Sequence, residues 1–380
     1  MFENEEKRFF KDPLDFIMLL LGLHHKKILR VYVVCAVFCS IYTQGMNIAA
    51  ICILQKKLIP NYISIALFVQ PVFVASIATL NFSNKYLENI RSTFNDYWAI
   101  DCAGEVLEKK ILRECNYLKI FAVLFVAMSV TGHLTGVLPL VGDEEDINPV
   151  LVVMKIIYPT WSMPIVLIIY YVVAIINGCT LCYPILHGVC VICHMNFQLD
   201  LLNEHLLKIS DDYLWETDDD FKLLSDKIYQ EIIRQRLKIC VIHHITLRRL
   251  TALYVKGSRM SMLLIPVGSV VPVAACYFIL YEISPRSNFR MVMILILFTL
   301  AIVSLCVVGQ KFNDKDEKVF QLASKCPWHY WDNQNRRTLL IFLTAATRPL
   351  IFSSYATVQI NFQLLLTIQK WIYTLVTLMY

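Results

Sequence analysis

The sequence predicts an all-α polytopic membrane protein. It reads as seven transmembrane helices with a cytosolic N-terminus, an extracellular C-terminus and a cytosolic helical anchor. Three observations predict this. First, of 380 residues 57% are hydrophobic and only 17% charged, with a mean hydropathy of +0.56. A soluble domain is nearer a quarter charged, and a soluble core could not bury this much apolar surface behind a wettable exterior. Second, the apolar residues gather into runs of bilayer length. Third, lysine and arginine are shared unequally between the two sides those runs define.

A helix needs about 20 mostly apolar residues to cross a bilayer. Seven segments qualify: Leu29–Ile53, Tyr62–Phe82, Leu118–Leu140, Met163–Cys193, Met260–Tyr281, Met291–Val308 and Val358–Tyr380. The fourth is too long for one crossing, so its second half is expected to continue as a helix out of the bilayer. Pro71, Pro266 and Pro272 lie inside spans, where neighbouring helices can re-satisfy the freed carbonyls. Ahead of the first span, the apolar run Phe16 to Leu23 is followed by His24, His25, Lys26 and Lys27 rather than by a small-residue cleavage site. It reads as a short helix at the membrane surface, not a signal peptide.

The segments on the N-terminal side (1–27, 84–117, 196–250 and 310–337) hold 24 lysines and arginines, and the opposite loops hold 5. The positive-inside rule therefore puts the N-terminus in the cytosol. Seven crossings from there leave the C-terminus outside, the reverse of a G-protein-coupled receptor. The acidic stretch Asp143 to Asp146 falls in an extracellular loop. The cytosolic segments carry apolar residues at helical spacing, such as Leu199, Leu202, Leu206 and then Ile233, Leu237, so they read as membrane helices extended into the cytosol. Arg337–Ser353 reads as one more amphipathic helix before the last span. The chain thus divides into 1–310 (spans one to six with their extensions), 311–357 (cytosolic loop and anchor helix) and 358–380 (the last span).

Several motifs invite other chemistry. Cys179-x-x-Cys182 and Cys190-x-x-Cys193, beside His187 and His194, have zinc-like pairing. They sit in the fourth apolar helix, however, with helix-compatible residues between the pairs, so small polarizable residues at a helix interface are favoured. All 13 cysteines fall in spans or cytosolic segments, where thiols stay reduced. His243-His244 lacks an identifiable carboxylate partner and reads as solvated or interhelical. Asn81-Phe-Ser83 fits the glycosylation pattern but lies at a cytosolic span end. There is no basic stripe interleaved with aromatics, so no nucleic-acid partner is expected. There is no Walker loop, nucleophile elbow or paired carboxylate, so neither an enzyme nor a cofactor is expected. No inverted repeat suggests a transporter.

The extracellular halves of the spans hold aromatic, small and hydroxyl residues that could wall a cavity for a small apolar ligand: Phe68, Val72, Ser129, Gly132, His133, Gly136, Ile168, Tyr171, Pro272, Cys276 and Met293. Composition alone favours ordinary interhelical packing at these positions.

The C-terminal third adds motifs. It reads Ser304-Leu-Cys306-Val-Val-Gly309-Gln310, then Trp328-His-Tyr330, Thr347-Arg348-Pro349-Leu350, and Leu366-Thr-Ile368-Gln-Lys370 with Tyr373 three residues on. Earlier come Tyr158-Pro159, Tyr170-Tyr171 and Gln198-Leu199-Asp200. This pattern resembles the insect odorant receptor family across about residues 158–205 and 300–380. The split of the Trp-Tyr pair by His329 and the Thr347 before Arg348-Pro349 mark a divergent member. Tyr355, Gln359 and Phe362 echo, loosely, the related gustatory receptors. The resemblance implies a subunit of a tetrameric, odorant-gated cation channel in the plasma membrane of sensory neuron dendrites. It implies assembly with the odorant receptor co-receptor, in contact with membrane lipid, and a small volatile ligand. The short cytosolic insertion between spans four and five fits a tuning subunit. The resemblance further implies that the last span lines the pore, with Tyr373, Val376 and Tyr380 on its pore and gate face. Hydrophobic rings gate by dewetting. Lys370 is then expected to turn into a protein interface or snorkel.

Overall fold

The computed structural model describes residues 26–53, 97–137, 160–209, 220–282, 285–354 and 358–379, with a few positions between 154 and 158. The second span predicted from sequence lies outside the described residues. The elements are α1 (Lys26–Ile53), a 3-10 turn (Ile100–Ala103), α2 (Glu105–Val137), α3 (Met163–Leu207), α4 (Asp220–Ser225), α5 (Lys227–Glu282) and α6 (Pro285–Ser324). A second 3-10 turn (Trp328–Tyr330), α7 (Asn333–Ala346), the strands β1 (Ser353–Ser354) and β2 (Val358–Gln359), and α8 (Phe362–Met379) complete the chain. The protein is an all-α polytopic membrane protein. Among the described residues, Glu105–Thr135, Met163–Leu207 and Leu295–Ser324 are long and apolar enough to cross a bilayer.

Length explains the architecture. At 1.5 Å per residue, α3 with 45 residues, α6 with 40 and α5 with 56 reach about 68, 60 and 84 Å. Each is at least twice a hydrocarbon core of about 30 Å. Their surplus lies beyond the membrane on the side rich in basic residues and forms a second helical bundle. The helix α3 is its axis: from Leu181 to Leu202 nearly every side chain is buried, as expected of a helix that is apolar on all faces. Around it pack α1, α2, α5 and α6.

Polar contacts fix the register of that bundle. Lys315 of α6 reaches Asp200 of α3 at 2.7 Å and the Asn196 carbonyl at 3.2 Å. Asn196 donates to the Val308 carbonyl (3.0 Å) and Asn203 to the Lys315 carbonyl (3.2 Å). Gln198 clamps the backbone of Trp98, accepting from its N–H and donating to its carbonyl. His243 of α5 stacks on the Trp98 ring at 3.8 Å between centroids, and His244 meets the edge of Phe342. Both histidines are therefore interhelical, and burial pulls His243 down to about 3 and His244 to about 4, so both are neutral.

The segment after α6 departs from the sequence reading. The helix α6 runs on to Ser324, past the predicted end of the sixth span at Val308. The anchor helix is Asn333–Ala346, not Arg337–Ser353. Asp332 caps its start by accepting from the Asn335 N–H at 2.7 Å. Pro349 disfavours helical geometry at Arg348 and helps end it. Trp331 follows Tyr330 and is fully buried, whereas Trp328 is half exposed. The last helix begins at Phe362, not Val358, because β1 and β2 pair in between, Ser353 with Gln359 and Ser354 with Val358.

Candidate functional site

Two places in the bundle hold the residues that the sequence singles out. The first is the face that α2 turns to α3. Ser129, Gly132, His133 and Gly136 recur at helical spacing, on one side of α2. Ser129 is buried and its hydroxyl donates to the Gly178 carbonyl of α3 at 2.9 Å. His133 Nδ1 donates to the Ser129 carbonyl at 2.8 Å. The helices meet closely here: a Cβ on Gly178 would lie 3.2 Å from Val130 Cα and 3.3 Å from the Ser129 oxygen. Three residues on, the spacing opens. Gly132 is buried, yet a Cβ there would meet nothing within 4 Å.

The other predicted pocket residues are less tightly gathered. Tyr171 is half-buried, Met293 of α6 is half-buried, and Pro272 and Cys276 lie on α5. Ile168 is 62% exposed on the outer face of α3, so it does not join Ser129 and Gly132. Phe68 and Val72 lie outside the described residues. A polar contact the sequence reading missed joins α1 to α3: Tyr32 meets the Thr180 hydroxyl at 2.8 Å, and Asn177 donates to Thr43 at 3.3 Å. All four residues sit in apolar runs, so hydropathy alone does not flag them.

The second place is the last helix. Leu364 and Ile368 of α8 are buried against α5 and α6, while Leu366, Lys370 and Tyr373 lie on the exposed face. Tyr373 is 71% exposed, and Val376 is half-buried. Both border a groove of about 370 Å³ walled by Val273 of α5, Thr299 and Val303 of α6, and Ile372. Tyr380 lies outside the described residues.

The junction into α8 explains a sequence motif. The glycine of Cys306-x-x-Gly309 faces the backbone of Ile360. A Cβ on Gly309 would overlap the Ile360 carbonyl oxygen and lie 2.8 Å from its Cγ2. Ile360 is held there by its N–H, which donates to the Phe352 carbonyl at 2.9 Å.

A family model described as 7tm Odorant receptor matches residues 101–373. The chain belongs to the seven-transmembrane odorant receptor family. The solved insect olfactory receptor OR5 from Machilis hrabei has the same fold, with a TM-score of 0.68 over 91% of this chain and 87% of that one at 14% identity. OR5 in complex with eugenol matches at 0.67 over 93% and 90%, with 16% identity. No curated protein sequence matches this one. The family match spans α2 to α8, and so includes both the Gly132 face and the Gly309 junction of this receptor.

Proposed function

We propose that this receptor is the tuning subunit of an odorant-gated cation channel in the plasma membrane of sensory neuron dendrites. It binds a small volatile hydrophobic molecule in the extracellular half of its helices and shares a pore with the odorant receptor co-receptor in a heterotetramer. The observation that carries the ligand site is the open space beside buried Gly132, bordered on the same face by the Ser129 hydroxyl and His133. One apolar cavity with one or two polar atoms suits a volatile of the same chemistry, and a related receptor fold has been solved with eugenol bound. The exposed apolar side chains of the anchor helix, Leu340 and Ile341, and the exposed face of α8 supply surfaces for neighbouring subunits. Tyr373, Val376 and Tyr380 are assigned to the pore and gate. Ligand must favour the conducting state by differential affinity, since nothing else supplies gating energy.

The test fills the cavity. Gly132→Phe projects a ring into the space beside Gly132, where a Cβ meets no described residue within 4 Å, and surface density reports whether the variant folds. Its EC50 for a ligand of the wild-type receptor is expected to rise about tenfold or more, equivalent to about 1.4 kcal/mol or more of lost binding. Unchanged sensitivity with normal surface density would remove Gly132 from the ligand site.

A further inference from the structure

The turn Thr347–Leu350 joins the anchor helix α7 to the strands that lead into α8, and two long helices, α5 and α6, hold it. Arg248 of α5 donates to the carbonyls of Ala345 and Arg348, both at 2.7 Å. Asp316 of α6 accepts from the Leu350 N–H at 2.7 Å. A little further along, the Ser354 hydroxyl donates to the Arg259 carbonyl of α5 at 2.6 Å. Leu350 and Phe352 are buried beneath these contacts, with Phe352 against Phe312.

Asp316 is out of place in this setting. It lies on the buried stripe of α6 that runs Phe312, Asp316, Val319, Ala323, and it is itself only 5% exposed. Among the described residues its one hydrogen bond comes from a neutral amide. Arg248 is the charged group that faces it from α5, and that guanidinium is already committed to two carbonyls. Its neighbours on α6 point elsewhere, Lys315 to Asp200 of α3 and Glu317 to Gln321. Arg348 on the turn is exposed. A buried carboxylate with one neutral donor is under-solvated when ionised, and a proton relieves that.

We propose that Asp316 makes the junction between the cytosolic bundle and the pore helix a binding site for cytosolic protons, so that internal pH sets the balance between a latched and a released turn. The inference rests on the channel reading for its effect on current, but not for the latch itself. Burial raises Asp316 from 3.8 to about 6, with the Leu350 N–H and Arg248 opposing the shift. A carboxyl raised in the latched form favours that form when protonated: the stabilisation is complete below 3.8 and lost as pH rises through 6. If the released carboxyl titrates ordinarily, the latched-to-released ratio grows about twofold from pH 7.5 to 6.0 and about tenfold from pH 7.5 to 5.0.

Two measurements test it. In inside-out patches with the co-receptor, ligand-evoked current is recorded while cytosolic pH is stepped from 7.5 to 5.0, for the wild type, Asp316→Asn and Asp316→Glu. Asparagine keeps a carbonyl for the Leu350 N–H and carries no charge, so D316N at pH 7.5 should match the wild type at pH 5.0 and show no further response in this chain. Glutamate should keep a titration. A D316N channel with the wild-type pH response overturns the proposal, as does a wild type indifferent to pH. Absence of ligand-evoked current at pH 7.5 bears only on the channel reading. In that case amide hydrogen exchange over residues 347–354 of the purified chain, corrected for its intrinsic pH dependence, decides. Protection should rise about tenfold from pH 7.5 to 5.0 in the wild type and stay flat in D316N. Flat protection in the wild type overturns the latch.

Discussion

Gly309→Ala is expected to yield a receptor that does not mature to the cell surface. The added methyl would coincide with the Ile360 carbonyl oxygen, a backbone atom that cannot swing aside as a side-chain end could. Ile360 is tied to Phe352 by its N–H and lies between β2 and α8, so relieving the overlap means moving the base of α8. Overpacking a well-filled interior by one methylene costs about 1–3 kcal/mol, and a backbone clash belongs at the upper end. Surface biotinylation and size-exclusion profiles of the tagged chain read the outcome. Gly45→Ala is the control, because a Cβ there meets nothing within 4 Å. A G309A receptor that matures and conducts normally would show that the α6–α8 junction is looser than the structure has it.

Lys315→Met is expected to destabilise the cytosolic bundle by about 3 kcal/mol. Lys315 and Asp200 are mostly buried, with side chains 19% and 14% exposed. Removing one partner of a buried pair typically costs about 3–5 kcal/mol, because the other is left as an uncompensated charge. Lys110, 3.8 Å from Asp200, softens the loss and argues for the lower figure. The ammonium also binds the Asn196 carbonyl, so α3 and α6 lose a second tie. The double change K315M/D200L removes the stranded carboxylate and should recover most of the loss, since an apolar pair of similar volume is often as stable as the ions it replaces. Thermal unfolding in detergent reads both. A double variant no better than the single would mean that the hydrogen bonds of Lys315 dominate over charge.

Much of the architecture was legible in the sequence because the bilayer imposes a length on apolar runs. The helix α3 begins at Met163, where the predicted span begins, and continues out of the membrane, as the excess length of that run requires. What hydropathy cannot see is a break inside an apolar stretch. Val358 to Ile360 is as apolar as the helix that follows, yet it turns as a strand against Ser353–Ser354. The start of α7 carried a usable signal in Asp332, three residues before Asn335, which the apolar pattern from Arg337 onward masked. Trp331 was overshadowed by the family-like Trp328 and Tyr330, although it is Trp331 that is fully buried.

The sites were less legible because they depend on contacts between distant elements. Ser129, Gly132 and His133 could be placed on one face by helical spacing, and the structure sets that face against Gly178. Depth in the bilayer marks all the pocket positions, and depth does not say which way a side chain points; Ile168 is 62% exposed. Asp316 and Leu350 are 34 residues apart in sequence, and nothing local links them. A charged residue in register with Phe312, Val319 and Ala323 was the one available hint.

Whole-cell current decides whether the protein is a channel subunit, with this chain expressed alone and together with the odorant receptor co-receptor, against a panel of small volatile esters, alcohols and aldehydes. A cation current that requires both subunits is expected, with relative permeabilities altered by Val376→Ala. Surface-expressed protein that gives no current with the co-receptor for any ligand, or a current unaffected by changes on α8, would contradict it.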